Sequence, residues 1–415
     1  MRRVHGFTLT ELLVALVISA LAAIAIYGAF SSLLSVSSQT RAQGNAWQQA
    51  RTALAMLSDA IEGAGYGLPL NNCAQGIYVG IPPTQPAQNG APSPTVADPT
   101  INGNTLVTPV AAVQQTNALY GYNPENISGF NAGVHTDALT VVTGGGNYAT
   151  TPATQITQVS SVDAANFFVS STAPFSVGDM TLVVLPDASC LMGQVTGPNN
   201  LGNGANNVVE NAGQGANASA FNVPNGFAGV DPAVTAAALA NAGVIDLGNQ
   251  GFSIDTFYIA DAGGSAVPSL YMQQIQAADS AQAPLPQLLA RGVVDMRVQF
   301  GYGTQGALIG YAAPGAAPAA DVLAVRLQLL VRDTRPSPGA VPDGPNGVPA
   351  IALMGMSTAN PLVTHVNAAP TTVYYAVPTQ LPAAAATGCV AGNCARYLYH
   401  VFDLVIPVRN DIWNQ

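Results

Sequence analysis

Four cysteines, three histidines of the body and one glutamate within an apolar run are the residues whose type and spacing invite chemistry. Cys73, Cys190, Cys389 and Cys394 are an even set, and four cysteines allow three pairings. Cys389 and Cys394 enclose the turn-forming loop "VAGN", which favours a local bridge and leaves Cys73 and Cys190 to a long-range one. A zinc site needs four thiolates, or added histidines at ligand spacing, and His135, His365 and His400 supply no such pattern. "GYGTQG" (301–306) formally fits a dinucleotide loop, with Asp321 at a suitable distance. The stretch that follows it, "ALIGYAAPGAAPAA", is a poor helix with two prolines, so a hairpin loop is expected. "GMSTA" (355–359) lacks the second glycine of a nucleophile elbow. "DGPNG" (343–347) offers one carboxylate, too few for calcium, and reads as a turn. The sequons at Asn126 and Asn217 are short enough to arise by chance. These readings predict no enzyme activity, no metal and no cofactor.

Glu11 is different, because it stands inside "GFTLTELLVALVISALAAIAIYGAF" (6–30), and Leu12 to Phe30 are 19 residues without a charge. At ~1.5 Å rise per residue such a helix approaches the ~30 Å hydrocarbon thickness of a bilayer. Arg2 and Arg3 supply a positive flank that stays cytoplasmic, with the body on the other side. A secretory signal cut after "ALA" (20–22) is the plain alternative. Such a signal has no use for an acidic residue in its core, where one costs ~2.5–3.5 kcal/mol at mid-membrane.

"GFTLTELLVALVI" resembles the prepilin signature of type IV pilins and type II secretion pseudopilins. The resemblance implies cleavage between Gly6 and Phe7 by a prepilin peptidase, N-methylation of Phe7, and an assembly role for Glu11. Cleavage creates an ammonium four residues before Glu11. A carboxylate neutralises that charge, and in low dielectric the attraction far exceeds its value in water. The resemblance implies that amine and carboxylate belong to neighbouring subunits and set their register.

The elements that carry these residues come next. Trp47, Ala50, Leu54, Leu57 and Ile61 recur at helical spacing, with Gln48, Arg51, Ser58, Asp59 and Glu62 on the other side, until Gly63 and Gly65. One helix over 7–62 is expected, membrane-embedded over 7–34 and amphipathic over 35–62, bent near Gly28 or Gly44. Residues 63–415 form the head. Strands are expected at 137–143, 165–171, 180–186, 254–260, 269–275, 292–302, 321–333 and 397–410, the fourth and fifth as a hairpin. Residues 83–120 read as a long loop. Residues 197–250 read as an irregular insertion with a short helix around "DPAVTAAALANAG". No βαβ alternation appears, so the fold class is α+β: a long amino-terminal helix packed on an antiparallel sheet.

Charge is scarce, at 8% of residues; all 11 basic residues are arginines, and none falls between Arg51 and Arg291. With a net charge of −10 the chain lacks the cationic cluster that nucleic acid or an anionic membrane surface requires. Arg326, Arg332, Arg335 and Arg409 stand out against that background. They either pair with Asp321, Asp333 or Asp403 or lie on solvated strand faces.

The order of segments in the body resembles PilW-type minor pilins: "GAGYG" (63–67), "DALTV" (137–141), "GD" and an apolar strand up to Cys190 (178–190), "VVDMRVQFG" (293–301), "VRLQLLVRD" (325–333) and a closing "RN" (409–410). The two insertions match nothing in that pattern. The resemblance implies a structural minor pilin that helps start the filament or forms its tip. Its implied partners are the prepilin peptidase, other minor pilins, the major pilin, the assembly platform and the inner membrane. It also implies a single-pass precursor with a periplasmic head, then a place in the pilus at the cell surface. A type II secretion pseudopilin, and a secreted enzyme or binding protein with an ordinary signal peptide, are the alternatives.

Overall fold

The apolar run and the amphipathic stretch after it form one unbroken helix, α1 (Leu9–Glu62), which passes through Gly28 and Gly44. The structure is a computed structural model. It describes residues 9–68, 72–73, 76–79, 113–116, 138–144, 154–172, 175–197, 206–212, 218–219, 221–222, 225–230, 233–240, 242–249, 252–261, 268–276, 287–304, 307–312, 321–336, 350–354, 372–376 and 396–408. Gly63 bonds back to the Asp59 carbonyl, and Gly65 and Gly67 take positive φ, which ends the helix where the glycines cluster.

Strands make up the rest of the architecture, in four sheets among the described residues. The largest contains β1 (Gly76–Val79), β4 (Thr154–Val159), β5 (Asn166–Val169), β6 (Met180–Val184), β7 (Ser189–Gln194), β8 (Asn207–Val209) and β9 (Gly243–Gly248), in the order β1-β7-β6-β9-β4-β5-β8. The second contains β2 (Val113–Thr116), β3 (Ala138–Thr143), β10 (Ser253–Asp261), β11 (Pro268–Gln276) and β12 (Gln287–Arg291), in the order β12-β11-β10-β3-β2. The third runs β14-β13-β15-β18, from β13 (Val293–Thr304), β14 (Ala307–Ala312), β15 (Asp321–Pro336) and β18 (Tyr397–Pro407). A separate pair joins β16 (Ala350–Met354) to β17 (Thr372–Ala376). Two short helices, α2 (Gly226–Val230) and α3 (Ala236–Leu239), complete the described elements.

The fold is α+β, a long amino-terminal apolar helix with antiparallel sheets. One pair departs from the antiparallel rule: β1 runs parallel to β7. β10 and β11 pair as the expected hairpin, closed by Asp261 opposite Pro268. β13 and β14 pair antiparallel up to Thr304 opposite Ala307, so "GYGTQG" joins two strands and opens no helix. The stretch 197–250 is less irregular than its composition suggests, since it supplies β8, α2, α3 and β9. Likewise β2 lies within the stretch 83–120 that reads as loop.

Where the helix meets the head, the buried face is Ala46, Ala50, Ala53, Leu57, Ile61 and then Ala64, packed on β3, β10, β11, β12, β13, β15 and β18. This corrects the expected face at two positions. Trp47 is 39% exposed and lies on the flank, and Leu54 is only partly buried against the cluster. Small residues win the central positions because alanine lets a helix backbone approach a sheet closely, where tryptophan would hold it off. Each fully buried Leu or Ile contributes about 1.5–3 kcal/mol. Gly292 permits the step from β12 into β13. Its φ is +79°, and a Cβ there would meet the carbonyl oxygen of Arg332.

Candidate functional site: the helix and its junction with the head

The half of α1 nearest the amino terminus leaves its apolar side chains exposed. Leu12, Val14, Leu16, Ile18, Leu21, Ile24, Ile26 and Phe30 are all more than half exposed. Among the described residues α1 alone is long and apolar enough to cross a membrane, with a mean hydropathy of 2.5 over its most apolar window. Two hydroxyls of that half are bonded to the helix itself. Ser19 donates to the Ala15 carbonyl at 2.7 Å and Ser31 to that of Gly28 at 2.9 Å. Hydroxyls satisfied in this way can face hydrocarbon at little cost.

Glu11 stands in the first turn of α1. The positive end of the helix dipole lies there, so a carboxylate is tolerated in this turn better than anywhere else along the run. Gly6 and Phe7, the other two residues of the expected cleavage and assembly site, lie outside the described residues.

At the junction, Trp47 sits edge-on against Phe402 and His400, with ring centroids at 5.1 and 5.6 Å, and the guanidinium of Arg51 lies 5.6 Å from its ring. His400 Nε2 lies 3.4 Å from Oδ1 of buried Asp333. Burial pushes the Asp333 carboxyl up, only partly offset by the neighbouring imidazole. These residues tie α1, β15 and β18 together. On the five-stranded side, Gln49 Oε1 accepts from the Arg291 amide at 3.1 Å. The helix is therefore held from both flanks.

Arg326 and Arg332 share the face of β15 that points away from the helix core. Arg326 forms a forked pair with Asp403, at 3.1 and 2.6 Å, on a partly exposed face. Arg332 stacks over Tyr397 at 4.9 Å. Arg409 and the side chain of Arg335 lie outside the described residues. Sequence reasoning missed the pair Arg297–Asp295, held at 2.8 Å with both side chains almost fully buried. The signal was available: residues two apart on a strand share a face.

Cys73 and Cys190 form a disulfide, with Cα atoms 5.4 Å apart and a sequence separation of 117. It is buried among Leu68, Met180, Phe221, Ile245 and Phe252 in a second apolar cluster, just beyond the end of α1. Cys389, Cys394, His135, His365, "GMSTA", "DGPNG" and the asparagines of both sequons, Asn126 and Asn217, lie outside the described residues.

A second group that the sequence did not flag is Glu210. Its carboxylate accepts from the Thr181 hydroxyl and lies over Gly193, where any side chain would collide with it. Burial pushes its pKa up to about 7, only partly opposed by the Thr181 hydrogen bond. Asp246 rises to about 6 through burial and the nearby Asp179 charge, against the hydrogen bond from the Gly248 amide. The cavity beside Glu210, between Phe167, Met192, Asn222 and Phe227, has room for about one water molecule.

Two family profiles match the chain: the prokaryotic N-terminal methylation motif over residues 1–27, and the type IV pilus-assembly protein W family over residues 256–410. Comparison with curated proteins gives no match. Among solved structures, a type IV-like pilin from Thermus thermophilus matches at 15% identity and a TM-score of 0.18, over 40% of this chain and 81% of that one. At that score the likeness carries no weight for the fold, which rests on α1 and the sheets themselves. The methylation motif covers the start of the apolar helix, and the PilW region runs from β10 through β18, including the strands that clasp that helix. Residues 256–410 therefore match the PilW family of type IV pilus-assembly proteins, and residues 1–27 carry the prokaryotic N-terminal methylation motif.

Proposed function

We propose that this chain is a minor pilin, acting with other minor pilins to start the filament or to form its tip. The observation that carries the reading is the division of α1: an apolar half exposed along its length, with an acidic residue in its first turn, continuing into a half locked under the head. Prepilin peptidase cuts after Gly6, and Phe7 becomes the methylated first residue. Its ammonium then pairs with Glu11 of a neighbouring subunit, or the reverse. Contact between helices in a low-dielectric bundle makes that charge pair strong enough to fix their stagger.

The precursor is anchored in the inner membrane by α1, with Arg2 and Arg3 on the cytoplasmic side and the head in the periplasm. The Cys73–Cys190 disulfide supports that orientation, because such bonds persist on the oxidising side. A local bridge between Cys389 and Cys394 belongs to the same reading. The protein's role is structural, with no reaction of its own.

Mass spectrometry of the mature amino terminus tests this directly. A chain beginning at N-methylated Phe7 is expected, whereas one beginning near Ala23 would show an ordinary signal peptide and overturn the proposal. Glu11→Ala is expected to leave processing intact and abolish entry into filaments. Counting surface pili after deletion of the gene tests the initiating role: a strain with normal piliation and lost protein secretion would point to a secretion pseudopilin instead.

A further inference from the structure

The seven-stranded sheet closes on itself. β7 is joined in turn to β6, β9, β4, β5 and β8, and the chain just past β7 returns to β8. There the Thr196 amide donates to the Val209 carbonyl at 2.7 Å, and the Val209 amide donates to the Gly197 carbonyl at 2.9 Å. The result is a six-stranded barrel with β1 alongside β7. Each of the six strands sends a side chain into one apolar cluster: Ile156, Phe167, Val183, Leu191, Val208 and Val244. The other joints hold by ladders of two to five paired residues. The seam between β8 and the end of β7 is a single bridge among the described residues, reinforced by the Thr196 hydroxyl, which donates to the Val209 carbonyl at 3.0 Å.

Glu210 follows this seam directly. Its amide extends the β5–β8 ladder by donating to the Ala165 carbonyl at 2.7 Å, and it shares the inward face of Val208. The residue as a whole keeps some exposure at the end of the barrel, but its carboxyl is turned inward. That carboxyl accepts from Thr181 on β6 and lies over Gly193 on β7, so the side chain reaches across the seam to the strands on its far side. No lysine, arginine or histidine occurs from 154 to 248. The titratable groups on the neighbouring elements are acidic too. Asp246 stands opposite Thr181 on β9, Asp179 precedes β6, and Asp163 lies in the turn before β5. β7 and α2 add none, since Cys190 is in the disulfide. We propose that Glu210 is a pH-operated latch on the barrel seam: as a neutral acid it holds β8 to the end of β7, and as a carboxylate it releases that joint. An ionised carboxyl turned into an apolar barrel without a cation is strongly disfavoured, whereas an open seam lets water solvate it. Burial holds its pKa at about 7 against an ordinary 4.5, so the closed seam binds the proton more tightly than the open one. The latch is therefore fully engaged below about 4.5 and weakens as pH rises through about 7.

The latch stands apart from the pilin reading, because the barrel lies outside both regions matched by the family profiles. Hydrogen–deuterium exchange of the full chain in detergent tests it, at about pH 6 and about pH 8, corrected for the intrinsic pH dependence of amide exchange. Peptides over 206–212 read the seam, and peptides over 180–184 in β6 read opening of the whole barrel. The open population at the seam is expected to rise about tenfold over that interval and to exceed the opening of β6 at both pH values. A flat response at the seam overturns the latch. So does equal opening of seam and β6, which would mean that the barrel opens only as a whole. Glu210→Gln keeps the shape of the side chain but cannot ionise, and should abolish the pH response; a response retained in that variant overturns the proposal. Thr181→Val supplies an independent check. It removes the donor to the carboxylate and should extend the response to higher pH, and a response that stays in place or moves to lower pH overturns the proposal as well.

Discussion

The two halves of α1 obey opposite rules although nothing interrupts the helix between them. From Leu9 to Val36 the bulky apolar residues are all more than half exposed. From Ala46 to Ala64 the buried positions are mostly alanine, and the head closes on them from two sheets. Bulk on the outside and small residues on the inside is the reverse of an ordinary core helix. The contrast shows a first half that keeps its apolar bulk outside the head, whereas the second is shaped to be approached as closely as possible by partners in the same chain.

Substitutions along the helix test that contrast. Leu57→Ala removes a fully buried side chain from the clasped half and should cost about 2–5 kcal/mol in urea unfolding of the head. A cost near zero would mean that the sheets do not grip the helix there. A pH series then separates the helix core from the seven-stranded sheet, which holds Glu210. Its folded pKa of about 7 lies above its ordinary 4.5, so the folded state holds the proton more tightly than the unfolded chain does. Stability from this group is therefore fully present below about 4.5 and is lost as pH rises through about 7, a loss on the order of 1–3 kcal/mol. Glu210→Gln should flatten that part of the profile, while Leu57→Ala should lower the whole curve without changing its shape. Ala53→Leu overfills the close approach and should cost about 1–3 kcal/mol. Leu16→Ala, in the exposed half, should change head unfolding by less than about 0.5 kcal/mol. A larger effect from Leu16 would erase the distinction between the halves.

What the sequence made legible follows the same division. The apolar half announces itself through an uncharged run and the placement of Gly6, Phe7 and Glu11, because a membrane reads composition directly. The strands at 292–302, 321–333 and 397–410 were also plain, since long alternating runs of branched residues leave few other conformations. The clasped face was harder. Reading by bulk placed Trp47 inside and passed over Ala46 and Ala53, although the interior position depends on how near the sheet comes, which no local pattern encodes. Glu210 was illegible for a related reason. It sits in "NNVVENAG", a polar, glycine-poor fragment of an asparagine-rich stretch, and it becomes buried only because β8 pairs with β5 and brings it over Gly193. Similarly, the parallel pairing of β1 with β7 depends on chain segments more than a hundred residues apart.

The contact between Trp47 and Phe402 joins the first described element of the chain to the last. Synthesis at about 5–20 residues per second puts roughly 20–80 seconds between the emergence of the first residue and the last. Through that interval the core around α1 lacks β18, so the head cannot close, and a fold so rich in distant contacts is slow to form even afterwards. The apolar half of the helix has no such wait, because lipid is all it needs. The core around α1 is therefore the last part of the head that can close, whereas the clusters of the seven-stranded sheet need nothing from β18.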